Sequence, residues 1–298
     1  MTNLHLRRLI ATAVFLAVSL VLRITVSGYL PLFGANGVRV GIHGVFTIMP
    51  AILFGPWYGA VASGLGDFLG HYVRPSGAWL WQITVISTVG GFMRGWAWRL
   101  LRARSPVVTR GVVVVMTLVF LGFGAISMVQ LRQDGITRQF YDNVVDPAAI
   151  DTLGMSSIGR LVINRTQNTS NPANNLSGRI AEVAYAPLVA GVFGVVLLGV
   201  DMFLSKGLQK EKVSKTDKPV SIMPLALTII IISLMISTAN SIVLWAVAVP
   251  AWRTFPFVYI WLPRVFIALL TSVANVFIAV FLLRVCDRLP HVKKIANL

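Results

Sequence analysis

The chain has 298 residues, of which 56% are hydrophobic and 12% are charged. A soluble domain carries about a quarter of its residues as Asp, Glu, Lys and Arg, so this balance excludes an ordinary soluble domain and points to a polytopic integral membrane protein. The formal charge of +16 comes without any nucleic-acid-binding pattern and is read as loop charge that sets topology, which leaves the lipid bilayer as a partner and nucleic acid as none.

In chain order, the apolar runs predict spans at 9–29, 40–55, 57–73, 79–101, 110–130, 181–204, 221–249 and 259–285. The fold class is therefore all-α, a membrane helical bundle. Leu9–Leu22 imitates the apolar core of a signal peptide, but Arg23 and more apolar residues follow where a cleavage site would stand, so it reads as a retained span. It carries Ala13-x-x-x-Ala17, a small-residue spacing that lets another helix approach closely.

The second and third spans are short and could merge into one at 40–63. Charge decides between the two. With both counted, Arg7 and Arg8, Arg99–Arg110, Lys206–Lys218 and Arg284–Lys294 fall on one side, which then holds more than half of the 26 Lys and Arg. Merging them moves the second and third clusters across, against the positive-inside rule. The expectation is eight spans, both termini cytoplasmic, and a tight cytoplasmic turn at Gly55-Pro56-Trp57, where Gly permits an unusual dihedral and Pro lacks a donor.

Residues 131–180 are polar and external, expected as mostly loop. Glycosylation-type triplets begin at Asn164 and Asn168 but arise readily in such Asn- and Thr-rich text. Residues 206–219 read as a charged cytoplasmic linker. Cys286 is the one cysteine, so no internal disulfide forms.

Charge inside hydrocarbon is expensive and normally faces protein or a cavity. Arg23, near the outer end of span one, is placed to snorkel outward. Arg39, Arg74, Arg253 and Arg264 lie at or near the external surface. Arg94 is deep in span four and is expected to be buried and paired, or to line a cavity. Asp67 is the only acid of the first four spans, and an ion pair with Arg94 or an external arginine explains it structurally. Asp67 and His71 share a helical face; with His43 they make a weak metal or proton-relay set, so neither metal nor cofactor is expected.

The outer half is rich in Tyr and Trp. An interfacial aromatic belt accounts for most of them, while aromatics interleaved with arginines also suit a flat, partly anionic ligand. No GxxxxGK[ST], GxSxG or HExxH occurs, and the chain is not read as an enzyme.

The run "VRVGIHGVFTIMPAILFGPWYGAVASGLGDFLGHYVRPSGAWLWQ" and the C-terminal "STANSIVLWAVAVPAWRTFPFVYIWLPRVFIALLTSVANVFIAVFLL" resemble the substrate-binding S component of energy-coupling factor (ECF) vitamin transporters, the folate-type branch in particular. The likeness rests on a VRVG-like run, two short spans hinged at GPxxG, a GDxxG run, an external PxG loop and LPRV opening the last span. It covers about 1–101 and 221–290.

S components have six spans. The resemblance therefore divides this chain into a first core half at 1–104, an inserted hairpin with its loop and linker at 105–219, and a second core half at 220–298. It implies an outward-facing vitamin pocket with candidates Arg39, Arg74, Trp79, Trp81, Gln82, Asn240, Trp245 and Arg264, and with Asp67 and Arg94 as structural or pocket-edge residues. It implies docking through Ala13 and Ala17 on a transmembrane coupling subunit, two separate ATPase subunits as the motor of this ABC importer, and substrate release by toppling of the loaded subunit. The alternatives are a stand-alone secondary transporter or scaffold, and a membrane-embedded enzyme using Asp67, His43 and His71.

Overall fold

The computed structural model describes residues 2–26, 28–32, 35–75, 79–136, 154–167, 180–210, 222–248, 253, 257–289, 292 and 295–296. The helices are α1 (Thr2–Thr25), α2 (Gly44–Leu53), α3 (Pro56–Val73), α4 (Trp81–Arg102), α5 (Pro106–Gln133), α6 (Ser157–Gln167), α7 (Ala186–Lys210), α8 (Ile222–Val243) and α9 (Phe257–Arg288). The fold is an all-α helical bundle carrying one antiparallel hairpin, β1 (Gly28–Leu32) and β2 (Ala35–Val40). In the hairpin Tyr29 lies opposite Arg39, and the register shifts between Leu30 and Pro31, where proline has no N–H for the ladder.

Among the described residues five helices are long and apolar enough to cross a membrane: α1, α5, α7, α8 and α9. The predicted span at 40–55 is shorter than expected. Its helix, α2, has ten residues and reaches about 15 Å, half of a bilayer core. It starts partway down the bundle, where Ser19 of α1 donates to the His43 carbonyl at 3.0 Å.

The chain does turn at Gly55. Its φ of 110° is one that L side chains avoid, and Pro56 opens α3 at a position that needs no donor. A Cβ at Gly55 would also meet the Arg99 guanidinium. Tyr58, one turn into α3, hydrogen-bonds His5 at 2.9 Å, and Arg8 donates to the Ile295 carbonyl at 2.7 Å. The Gly55 turn and both ends of the chain therefore share one end of the bundle, and the β-hairpin marks the other.

The closest helix pair is α3 and α4, which cross where Gly59 faces Gly91: a Cβ at Gly91 would run into the Gly59 carbonyl. Helix α8 is central. It packs on α4 and α5 and along α9, while α7 packs on α5 and α9. Its first turns, Ile222–Ile230, are buried throughout, and with α2 and α9 they make the core at the termini end.

Residues 157–167, inside the stretch expected as loop, form α6. Ser156 caps it by accepting from Gly159 N–H at 3.0 Å and is itself held by Asp134 at the end of α5. Val162 and Ile163 bury against Leu131, Ile136 and Val183. Asn164 lies within α6; Asn168 lies outside the described residues, as does the linker beyond Lys210.

Candidate functional site

Two polar seams cross the apolar bundle toward its hairpin end. The first joins α1, α3 and α4. Arg23 does not snorkel: it is buried, and its Nη1 donates to the Gly66 carbonyl at 2.8 Å. The guanidinium lies where a Cβ of Gly70 would be, so the glycine at this position of "GLGDFLG" leaves the space it occupies. The Asp67 carboxylate accepts from Thr84 Oγ1 at 2.8 Å, and Thr84 accepts from Trp79 Nε1 at 3.3 Å. Arg74 caps α1, donating to the carbonyls of Arg23 at 3.3 Å and Ile24 at 3.2 Å.

The second seam joins α4, α8 and α9. Ser233, Ser237, Asn240 and Ser241 recur on α8 at i, i+4, i+7 and i+8, so they form one polar stripe. On its α9 side Arg264 is buried, donating from Nε to Ser241 Oγ at 3.0 Å. Ser237 donates to the Arg264 carbonyl at 3.2 Å, and Trp261 donates to Thr238 at 2.9 Å.

On the α4 side Arg94 reaches Ser233 Oγ with Nη2 at 3.5 Å. A Cβ on Gly90 would meet Ile236, so α4 and α8 run antiparallel here. Three buried atoms along these helices have no hydrogen-bond partner among the described residues: Gln82 Oε1, Asn240 Oδ1 and Arg94 Nε. Arg94 lies about 20 Å along α4 from Trp81; Gln82 and Asn240 lie nearer the hairpin end.

Aromatic rings pair near that end. Trp245 packs on Phe257 at 5.8 Å, and Phe257 stacks on Trp261 at 6.4 Å. Trp245 belongs to a π-helical turn, Leu244–Ala248, a geometry frequent at functional sites; Arg253 donates to its Ala246 carbonyl at 2.6 Å. On the other side Phe68 meets Trp79 at 5.7 Å and Tyr72 at 5.1 Å.

Of the residues expected from sequence, Arg74, Trp79 and Asp67 meet in the first seam, and Asn240, Arg264 and Trp245 gather around the second. Gln82 and Arg94 lie along α4. Trp81 is exposed, and Ala13 and Ala17 lie on the exposed face of α1 among Ile10, Val14 and Val21. Arg39 occupies its position on β2, and its side chain lies outside the described residues. His43 and His71 are not brought together with Asp67 into a ligand cluster: among the described residues no three His, Cys, Asp or Glu side chains gather as metal ligands would.

Sequence reasoning missed the roles of Arg23, Thr84, Ser233, Ser237, Ser241 and Trp261. The serine spacing of "SLMISTANS" was the available signal for half of them.

No curated protein and no solved structure matches the chain. The family model for the ECF transporter substrate-specific component matches residues 7–165, just over half of the chain. The match takes in Arg23, the Gly55 turn, the glycines of α3, Gln82 and Arg94, and it continues through α5 into α6. The chain belongs to the family of substrate-specific components of ECF transporters.

Proposed function

We propose that the chain captures a small aromatic, anionic compound from outside the cell, of the folate-like vitamin class, and delivers it inward as part of an ECF importer. Membership of the family implies assembly with an ECF module, its transmembrane T unit and its ATPases. In this reading the hairpin end faces the exterior of the plasma membrane and both termini are cytoplasmic. The termini share their end of the bundle with the Gly55 turn, which agrees with the charge bias of the sequence.

The observation that carries the reading is the second seam. Gln82 Oε1 and Asn240 Oδ1 are buried acceptors without partners among the described residues. An unmet polar atom in a bundle surrounded by lipid costs about 1–3 kcal/mol. A ligand with an amide or amino edge would meet both acceptors. Arg94 and Arg264 supply positive charge along the same seam, suited to a carboxylate, and Trp79, Trp81 and Trp245 supply faces for a ring. Arg39 and Arg74 would border the mouth.

Ala13 and Ala17 would be the docking face on the T unit, since small residues let a second helix approach. The division of the chain into a core at 1–104 and 220–298 with an inserted hairpin at 105–219 belongs to this reading as well. Helices α5 and α7 pack chiefly on each other, as a separately added pair would.

The test is to purify the chain and weigh any small molecule that co-purifies, then titrate it and a panel of vitamins and related heterocycles without ATP. The expected outcome is at least one compound bound more tightly than about 10 μM, roughly −7 kcal/mol. A panel with no binding at that level overturns the reading.

A further inference from the structure

An arginine at the end of an apolar helix ordinarily extends to the interface, where its charge is hydrated. Arg23 is instead turned into the bundle and is 8% exposed. It occupies the space left by Gly70 of α3, where a Cβ would meet its guanidinium, and one donor is fixed on the Gly66 carbonyl. Its own carbonyl accepts from Arg74. Asp67, one residue beyond Gly66, is held by Thr84 of α4, which also holds Trp79. The connection from α3 to α4 is thus tied at both flanks: at Arg74 to the end of α1, and at Trp79 to Thr84. Both ties converge on the stretch of α3 that Arg23 grips.

We propose that Arg23 is a positioning residue. It locks α1 to α3 through the space at Gly70 and thereby holds Arg74, at the end of α3, and Trp79, before α4, in place. That these two side chains border the substrate site rests on the function proposed above; the lock itself does not. The guanidinium points at α3 backbone, so Arg23 acts through its neighbours and does not touch substrate. A docked T unit on the Ala13 and Ala17 face of α1 would pull on the same helix that Arg23 fastens.

The experiment is amide hydrogen exchange on the full-length chain in detergent, with no ligand added, comparing the parent with Arg23→Met, Arg23→Lys and Gly70→Ala. Arg23→Met keeps an apolar stem and removes the donors. Gly70→Ala keeps the arginine and fills its space. Both are expected to speed exchange across residues 73–84 by about tenfold while exchange in α5 and α7 stays as in the parent. Arg23→Lys, which keeps one charged donor, is expected to restore most of the protection.

Unchanged exchange at 73–84 in both Arg23→Met and Gly70→Ala overturns the proposal, as does equal acceleration everywhere. If Arg23→Met does not fold, Gly70→Ala decides alone. Because no ligand is present, failure here leaves the transport reading standing. Faster exchange together with unaltered binding of the vitamin panel would support the lock and remove Arg74 and Trp79 from the substrate site.

Discussion

The two polar seams use the same residue types and end differently. In the α1–α3–α4 seam, Arg23, Arg74 and Thr84 donate to backbone carbonyls or to Asp67, and Gly70 clears the space for Arg23. In the α4–α8–α9 seam, Arg264 and the α8 serines close a circuit, but Gln82, Asn240 and Arg94 each keep a buried atom that nothing described satisfies. Both seams carry burial costs of the same kind. Ser63 Oγ of α3 is likewise buried without a hydrogen-bond partner among the described residues, so the seams differ in what is left over: the first leaves a hydroxyl between packed helices, whereas the second leaves two amide oxygens that a ligand donor would meet under the function proposed above. The contrast also explains the isolated carboxylate of "GDFLG": Asp67 belongs to the fastened seam.

The strongest way to break the contrast is to deny the fastened seam its space. Gly91→Ala should separate α3 from α4, because its Cβ would meet the Gly59 carbonyl and backbone cannot rotate away. We expect a loss of about 3 kcal/mol, read as a drop in the thermal unfolding midpoint in detergent. Gly70→Ala should follow at about 2 kcal/mol, since the Arg23 guanidinium is displaced but remains attached to a flexible stem. A neutral Gly91→Ala would mean that the α3–α4 crossing is looser than described.

A third polar contact, between α5 and α7, gives a reference. Arg110 of α5 donates to Asp201 of α7 at 2.7 Å, with the Asp201 side chain 4% exposed and that of Arg110 35% exposed. Arg110→Ala removes this partner from the buried carboxylate, and the partial exposure of the pair limits the loss to about 1–2 kcal/mol. Replacing both partners with leucine should recover most of it. If the double variant is as unstable as the single one, the pair contributes more than charge neutralisation.

Much of this was legible in the sequence. The helix positions followed from apolar runs and charge bias, and the Gly55 turn from a Gly-Pro pair whose dihedral and missing donor leave few alternatives. What the sequence hid is three-dimensional. Arg23 looks like a snorkelling residue until α3 is seen to offer Gly70 opposite it, and no local pattern in α1 reports that. Arg74 was expected at the pocket edge from the family resemblance, and its second role, capping α1, has no local signal. Helix α6 was masked by polar text, although Ser156 followed by Ile158, Leu161 and Val162 is a cap and an apolar stripe at helical spacing. The length of α2 was overestimated because Val40 and Ile42 extend the apolar run ahead of a helix that begins only at Gly44.

The change with the smallest expected effect on stability sharpens the contrast most. Asn240→Leu and Gln82→Leu each remove an acceptor that has no partner among the described residues, so the ligand-free protein gives up no internal hydrogen bond at that atom. Its unfolding midpoint should stay within the equivalent of about 1 kcal/mol of the parent, or rise, because leucine is better placed in hydrocarbon than an unmet amide. Ligand affinity should behave in the opposite way. A ligand donor that met the amide oxygen would face a methyl group, and binding of the co-purifying compound should weaken about ten- to a hundredfold. The fastened seam predicts the reverse pairing for Gly70→Ala, with stability lost first and affinity only in consequence. Should Asn240→Leu destabilise the empty protein as much as Gly70→Ala while binding is untouched, the two seams are the same kind of object and the second is not where substrate is read.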